Sequence, residues 1–369
     1  MPENIKPLTA LRFFAAMWVV SFHYWPDLIG HAAPLPTVVS KGYLGVELFF
    51  VLSGFILSHV YLDGLGEGRF KYGKFLWARL ARVYPLHLAT LAGVGLLVAG
   101  AAAAGFSLSH NIADWASLPA NLTLTHAWGL SPEAAWNHPS WSISAEWFAY
   151  LTFPLFGWVA WRLRQRPGVA VAAAIALIAG LYVAFEAMTG FPLTRATIHW
   201  GALRIVPCFA YGCAINLAWR SGAVRTSAQA LVGAALFAAA ALFSAQFALH
   251  DAVTVSLFGG LILCLAGLTS TGSKVMSGPI GVYLGEVSYA VYMVCIPWQL
   301  VYVNGVQKAL NLGDAPLPFL VWLGLVAGVV PAAAAAHHLV ERPTRTVMRA
   351  WSDRGFSFAA RGEPSRTPA

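Results

Sequence analysis

The first apolar run of this chain, TALRFFAAMWVVSFHYWP (residues 9–26), carries a cation and an imidazole eleven residues apart, Arg12 and His23. In a helix, eleven residues advance about 16 Å and turn about three times, so both side chains share one stripe without touching. An imidazole suits general acid–base work, and a fixed guanidinium suits an anionic substrate group. Charge within a membrane costs at least about 2.5–3.5 kcal/mol, which makes each such residue a functional candidate. The bland alternatives are an Arg12 that snorkels into headgroups and an interfacial His23 beside Tyr24 and Trp25.

Three more ionisable residues fall at the edges of apolar runs: Glu47 in GYLGVELFFVLSGF, Glu146 in NHPSWSISAEWFAYL and Arg204 in WGALRIVPCFAYG. The spans place them at the depth of His23. A glutamate there, Glu47 or Glu146, could fix the tautomer of His23 and raise its basicity. Helix ends that meet water would explain each glutamate as well. At the other end, Lys71, Lys74, Arg79 and Arg82 form a basic segment fit for a polyanionic cofactor. The rule that places basic residues inside, with acidic lipid as partner, accounts for the same segment. AHHLVERP holds His337, His338 and Glu341, but no further ligands cluster nearby, so it reads as a helix end and no metal site is expected.

These residues must be positioned by membrane helices. Of 369 residues, 58% are hydrophobic and 10% charged, with mean hydropathy +0.65. The expected fold is all-α and polytopic, because lipid leaves backbone polar groups no partner outside the helix. Ten spans are predicted near 9–27, 43–61, 83–104, 143–161, 169–188, 203–219, 230–248, 252–270, 284–303 and 317–337. Eighteen of the 23 Lys and Arg fall on one set of connecting segments and three on the other, which predicts cytoplasmic termini. The net charge of +8 is therefore a membrane signature, and no nucleic-acid partner is expected. The four cysteines lie in apolar runs and imply no disulfide framework. No cleavable signal peptide is expected. The chain divides into a transmembrane domain (1–342) and a basic tail (343–369) expected to be disordered.

Seven motifs in order, TALRFFAAMWVVSFH, GVELFFVLSGF, RLARVYPLHL, PSWSISAEWFAY, RIVPCFAYG, LGEVSYAVYM and LVERP, resemble those of the acyltransferase-3 family over residues 8 to about 345. Members are membrane-embedded enzymes that O-acylate bacterial surface sugars, and some modify antibiotics. The resemblance implies a multi-pass inner-membrane O-acetyltransferase acting on lipopolysaccharide, exopolysaccharide or a related carbohydrate or glycolipid acceptor. Arg12 and His23 match the family's essential pair, and Glu146 its acidic residue. Arg79 and Arg82 match its basic motif, and Ser53 and Gly54 the FFVLSGF turn. Cys295 and Cys208 depart from the pattern, standing where relatives often have a histidine and an aromatic.

On that resemblance, acyl-CoA (acetyl-CoA first) donates from the cytoplasm with phosphates near Arg12, Lys71, Lys74, Arg79 and Arg82. His23 acts as general base with Glu146 or Glu47, and the acceptor sits near Trp136, Trp141 and Arg204. No permanently bound cofactor is expected. A proton-coupled transporter of a solute or glycan precursor is the rival. Its usual pointer, paired discontinuous helices in two related halves, is not evident in the sequence. A structural subunit of a polysaccharide export machine is a third reading.

Overall fold

The computed structural model describes residues 5–105, 112–268, 274–313 and 315–358, which among them form only helices and connecting turns. Twelve longer helices carry the fold: α1 (Lys6–Ile29), α2 (Gly45–Gly66), α3 (Tyr72–Ala103), α4 (Trp141–Leu151), α5 (Phe153–Leu163), α6 (Pro167–Thr189), α7 (Gly201–Arg220), α8 (Ser227–Gln246), α9 (Asp251–Gly267), α10 (Pro279–Ala309), α11 (Phe319–Ala336) and α12 (Arg342–Phe358). Among the described residues, seven stretches are long and apolar enough to cross a membrane: those of α2, α3, α6, α7, α8 and α10, and one that begins with α11 and runs on to Trp351. The other three expected spans coincide with α1, with α4 and α5 together, and with the 17-residue α9.

Local chemistry explains the irregularities. Pro154 lacks the N–H that would continue the ladder to Tyr150, and the helix breaks at Thr152 between α4 and α5. The FFVLSGF stretch is continuous helix in α2, in place of the expected turn. A Cβ on Gly54 would strike the carbonyl of Phe209, and one on Gly212 the carbonyl of Val51. The two glycines let α2 and α7 meet backbone to backbone. Gly285 does the same for α10 against Thr9 of α1.

The chain after 343 departs from the expected disordered tail. A five-residue π turn, His337–Glu341, links α11 to α12, and the helix runs to Phe358. Pro343 sits in the first turn of α12, where its missing N–H costs little. Trp77 of α3 donates to the carbonyl of Met348 (2.7 Å) and ties α12 to the bundle. Residues 359–369 of the expected tail lie outside the described residues.

Two registers fix depth along α1. Gly42 and Gly45 pack on α1 beside Trp18 and Phe22, and beside Ala15 and Val19. Because α2 then runs antiparallel to α1, Glu47 lies about level with Ala15 and Ser53 about level with Thr9. His23 stands roughly 12 Å further along α1 than Glu47. By contrast α10 runs parallel to α1, with Gly285 against Thr9, Cys295 beside Tyr24 and Gln299 beside Asp27.

Candidate functional site

A cavity of about 710 Å³ opens among α1, α2, α3, α4, α10 and the start of α12. Along α2 its wall runs from Tyr61 to Val46, fifteen residues or about 22 Å of helix, so the space is a tunnel rather than a surface dish. Arg12, Arg79 and Arg82, all expected at a polyanion site, converge on it. Arg79 and Arg82 lie three apart on α3 and so share a face. The Nε of Arg79 is buried without a hydrogen-bond partner, and its guanidinium stands 5.8 Å from the ring centre of Tyr61. Lys71 and Lys74, at the start of α3, are not part of the wall.

Glu146 faces the same tunnel, where Ser53 donates its hydroxyl to Oε1 (2.5 Å). Tyr150, one turn on, lines the same wall beside that carboxylate. Arg12 lies within electrostatic range of Glu146, Arg79 and Arg82. Glu146 is expected from the sequence at the depth of His23, yet it lies with Arg12. The reason is that α4 starts low: residues 112–140 fold back into the bundle rather than crossing outside it. Ser144 of α4 accepts from the N–H of Ala127 (3.0 Å), and Asn137 donates to the carbonyl of Met293 in α10 (2.9 Å).

Glu47 also departs from its expected partner. Both its oxygens are taken by Arg204, Oε1 by Nε at 2.5 Å and Oε2 by Nη2 at 3.0 Å. Arg204 further donates to the carbonyl of Ala196 (2.8 Å) and lies over the ring of Trp141 (4.4 Å). Glu47, Arg204 and Trp141 are 0%, 1% and 4% exposed. They form a closed stack, and neither Trp141 nor Arg204 offers a face to an acceptor in this conformation. Trp136 is also buried, with a left-handed backbone (φ 61°), and its indole donates to the carbonyl of Asp114 (2.9 Å). The exposed loop tryptophan is Trp115, set edge-on against Trp136.

His23 lies beyond the inner end of the tunnel. Its carbonyl accepts from Gln299 (3.2 Å), and His138 is its electrostatic neighbour. Among the described residues no hydrogen bond or ion pair joins its ring to Glu47 or Glu146. The tunnel closes at Val46, Phe49, Ser142 and Tyr292. At that end Tyr292 donates its hydroxyl to the carbonyl of Pro139 (3.0 Å), and His23 is not part of the wall. The α1–α10 register puts Tyr292 one to two turns, about 5–11 Å, below His23. The short turn at His138–Ser140 roofs this contact, with Ser140 bonded to His126 (3.1 Å). Burial holds the His126 imidazole down at about 4, helped by the neighbouring His87 ring stacked 6.0 Å away.

Three arginines beyond the expected set also line the tunnel: Arg342, Arg345 and Arg349 of α12. Their i, i+3, i+7 spacing is the available signal. Cys295, by contrast, is buried with its thiol on the carbonyl of Tyr292 (3.0 Å).

Comparison with known proteins shows the family. A family model described as an acyltransferase domain matches residues 6–338. The chain is 29% identical over 319 residues to acyltransferase MdmB of Streptomyces mycarofaciens, covering 79% of this chain and 78% of that protein. It is 29% identical over 322 residues to exopolysaccharide production protein ExoZ of Rhizobium meliloti, covering 82% and 89%. Protein 2 in the picA locus of Rhizobium radiobacter is 41% identical over 91 residues, 25% of this chain and 44% of that one. No solved structure matches at comparable stringency.

Proposed function

The chain belongs to the acyltransferase family whose model spans it, and on that premise we propose that it transfers an acyl group, acetyl before others, from acyl-CoA to a hydroxyl of a cell-surface or exported carbohydrate. It is a multi-pass membrane acyltransferase. The reading sets ten spans in the inner membrane with both termini cytoplasmic, supported by the eighteen-to-three partition of basic residues. The name of the exopolysaccharide relative supports a polysaccharide acceptor.

The observation that carries the reading is the arginine-lined tunnel. Phosphates of the donor rest on Arg79 and Arg82 at its mouth, with Arg12 deeper, and guanidinium forks match phosphate oxygens. The pantetheine arm lies along the tunnel past Ser53 and Glu146, toward Tyr292. At the far end His23 takes the proton of the acceptor hydroxyl as that oxygen attacks the thioester carbon. The C–S bond then breaks, CoA leaves as thiolate and takes up a proton, and the sugar keeps the ester. Glu146, held by Ser53, balances the charge of Arg12. Because the Tyr292–Pro139 contact separates tunnel from base, the thioester reaches His23 only when that contact opens.

Membranes bearing His23→Ala are expected to insert the protein normally and leave the surface glycan unacylated; acylation that persists would sink the assignment of the base. Purified protein given labelled acetyl-CoA and candidate glycans should form a stable labelled ester. Solute uptake without ester would instead establish the transporter.

A further inference from the structure

Helix α12 follows the matched acyltransferase segment, which stops at residue 338. Arg342, Arg345 and Arg349 fall within an arc of about 60° and all reach the tunnel, while Val347 and Trp351 point away and are about half exposed. This is an amphipathic helix suited to lie at the membrane surface, turned so that its basic side meets the bundle. With Arg12, Arg79 and Arg82 it brings six arginines to one cavity. The carboxylates there are Glu146 and Glu286, and Glu341 behind them pairs with His337 (2.8 Å) and Arg345 (3.4 Å). Three positive charges are left over after these three carboxylates are counted. Such an excess lining one cavity focuses the field and raises the local concentration of anions, which favours an anionic ligand there.

We propose that α12 is the outer wall of the donor site and that Arg345 and Arg349 bind phosphate groups of the coenzyme A nucleotide. This rests on the reading of the tunnel as the acyl-CoA site. A 3′-phosphate and a diphosphate together carry about four negative charges, of the size needed to offset the excess. Lipid headgroups share the phosphate chemistry, but Arg12 at the same tunnel's deeper wall favours a ligand that extends inward from its phosphates. The π turn at His337–Glu341 aims the helix: a register lacking its extra residue would rotate the arginines by about 100° away from the cavity.

The test uses the full chain in phosphatidylcholine nanodiscs and measures binding of free coenzyme A. Arg345→Gln with Arg349→Gln should weaken it on the order of tenfold or more, and Lys at both positions should restore part of the loss. Raised salt should shrink the difference between wild type and the Gln variant. Arg349→Gln alone serves if loss of the Arg345–Glu341 pair impairs folding, and should weaken binding several-fold. Unchanged coenzyme A affinity in folded variants overturns the role of α12 while leaving the donor reading intact. Variants that lose only a preference for phosphatidylglycerol-containing discs overturn it in the same way. Wild-type protein that binds no coenzyme A overturns the donor reading and this inference together.

Discussion

Two glutamates, each near an arginine in the same bundle, meet opposite fates. Glu47 surrenders both oxygens to Arg204, under a tryptophan and out of reach of water. Glu146 gives one oxygen to a serine hydroxyl and faces a tunnel with Arg12 across it. The first pair has its hydrogen bonds made within the protein, and its electrostatics hold α2 to α7. The second stands in an accessible cavity, open to whatever enters it. Residue type is the same in both; access separates a closed brace from a carboxylate that faces open space.

Breaking the brace should have the largest effect. Glu47→Gln or Arg204→Met strands a buried charge or donor, at a cost of about 3–5 kcal/mol. Detergent-solubilised variants should aggregate or melt far below wild type in a thermal-stability assay. The double variant Glu47→Leu with Arg204→Met should recover much of that loss, as compensated apolar replacements of buried pairs often do. Recovery of transfer activity with it would confirm that the pair only holds the fold.

Glu146→Gln tests the other side of the comparison. It should leave the melting temperature nearly unchanged and lower transfer about 100-fold, equivalent to about 2.7 kcal/mol in the barrier. A folding defect as deep as that of Glu47→Gln would erase the distinction between the two. Ser53→Ala removes one hydrogen bond to the same carboxylate, so turnover should fall about tenfold with folding intact, about 1–1.5 kcal/mol.

The smallest effect concerns the roof over both regions. His126 is neutral and buried, and its imidazole titrates near 4 when folded against about 6.5 when unfolded. Between those values the unfolded chain binds the extra proton, so this contribution to stability is full above about 6.5 and is lost as pH falls toward 4. A melting-temperature series over that window should decline in the wild type and flatten in His126→Gln.

Much of this architecture is readable from one sequence, and the exceptions have physical causes. Apolar runs locate most of the helices, and the RLAR spacing places Arg79 and Arg82 together, whereas the break between α4 and α5 falls inside the single span expected at 143–161. Depth is harder. Glu47 looks level with His23 in the sequence because both sit near run ends, but residues 30–44 descend beside α1 before α2 begins. The partner of Arg204 is 157 residues away in sequence, so only tertiary packing could reveal it. Helix α12 escapes a sequence reading because its Arg, Ser, Gly and Pro content resembles that of a disordered tail, and its apolar side is a narrow stripe. Its arginine spacing is legible, but the cavity that gives the spacing meaning is not.

The blind tunnel also has an electrical consequence. Were the tunnel filled with water, its arginine-lined length of about 22 Å would conduct, and a voltage across the membrane would fall mainly over the packed region around Tyr292 and Pro139. One elementary charge moved through the full drop at 100 mV exchanges about 2.3 kcal/mol. A proton shed from His23 toward the tunnel would cross that thin dielectric. Turnover in sealed vesicles should then respond to an imposed potential at fixed pH, and indifference to voltage would show that the proton leaves on the side from which the sugar arrives.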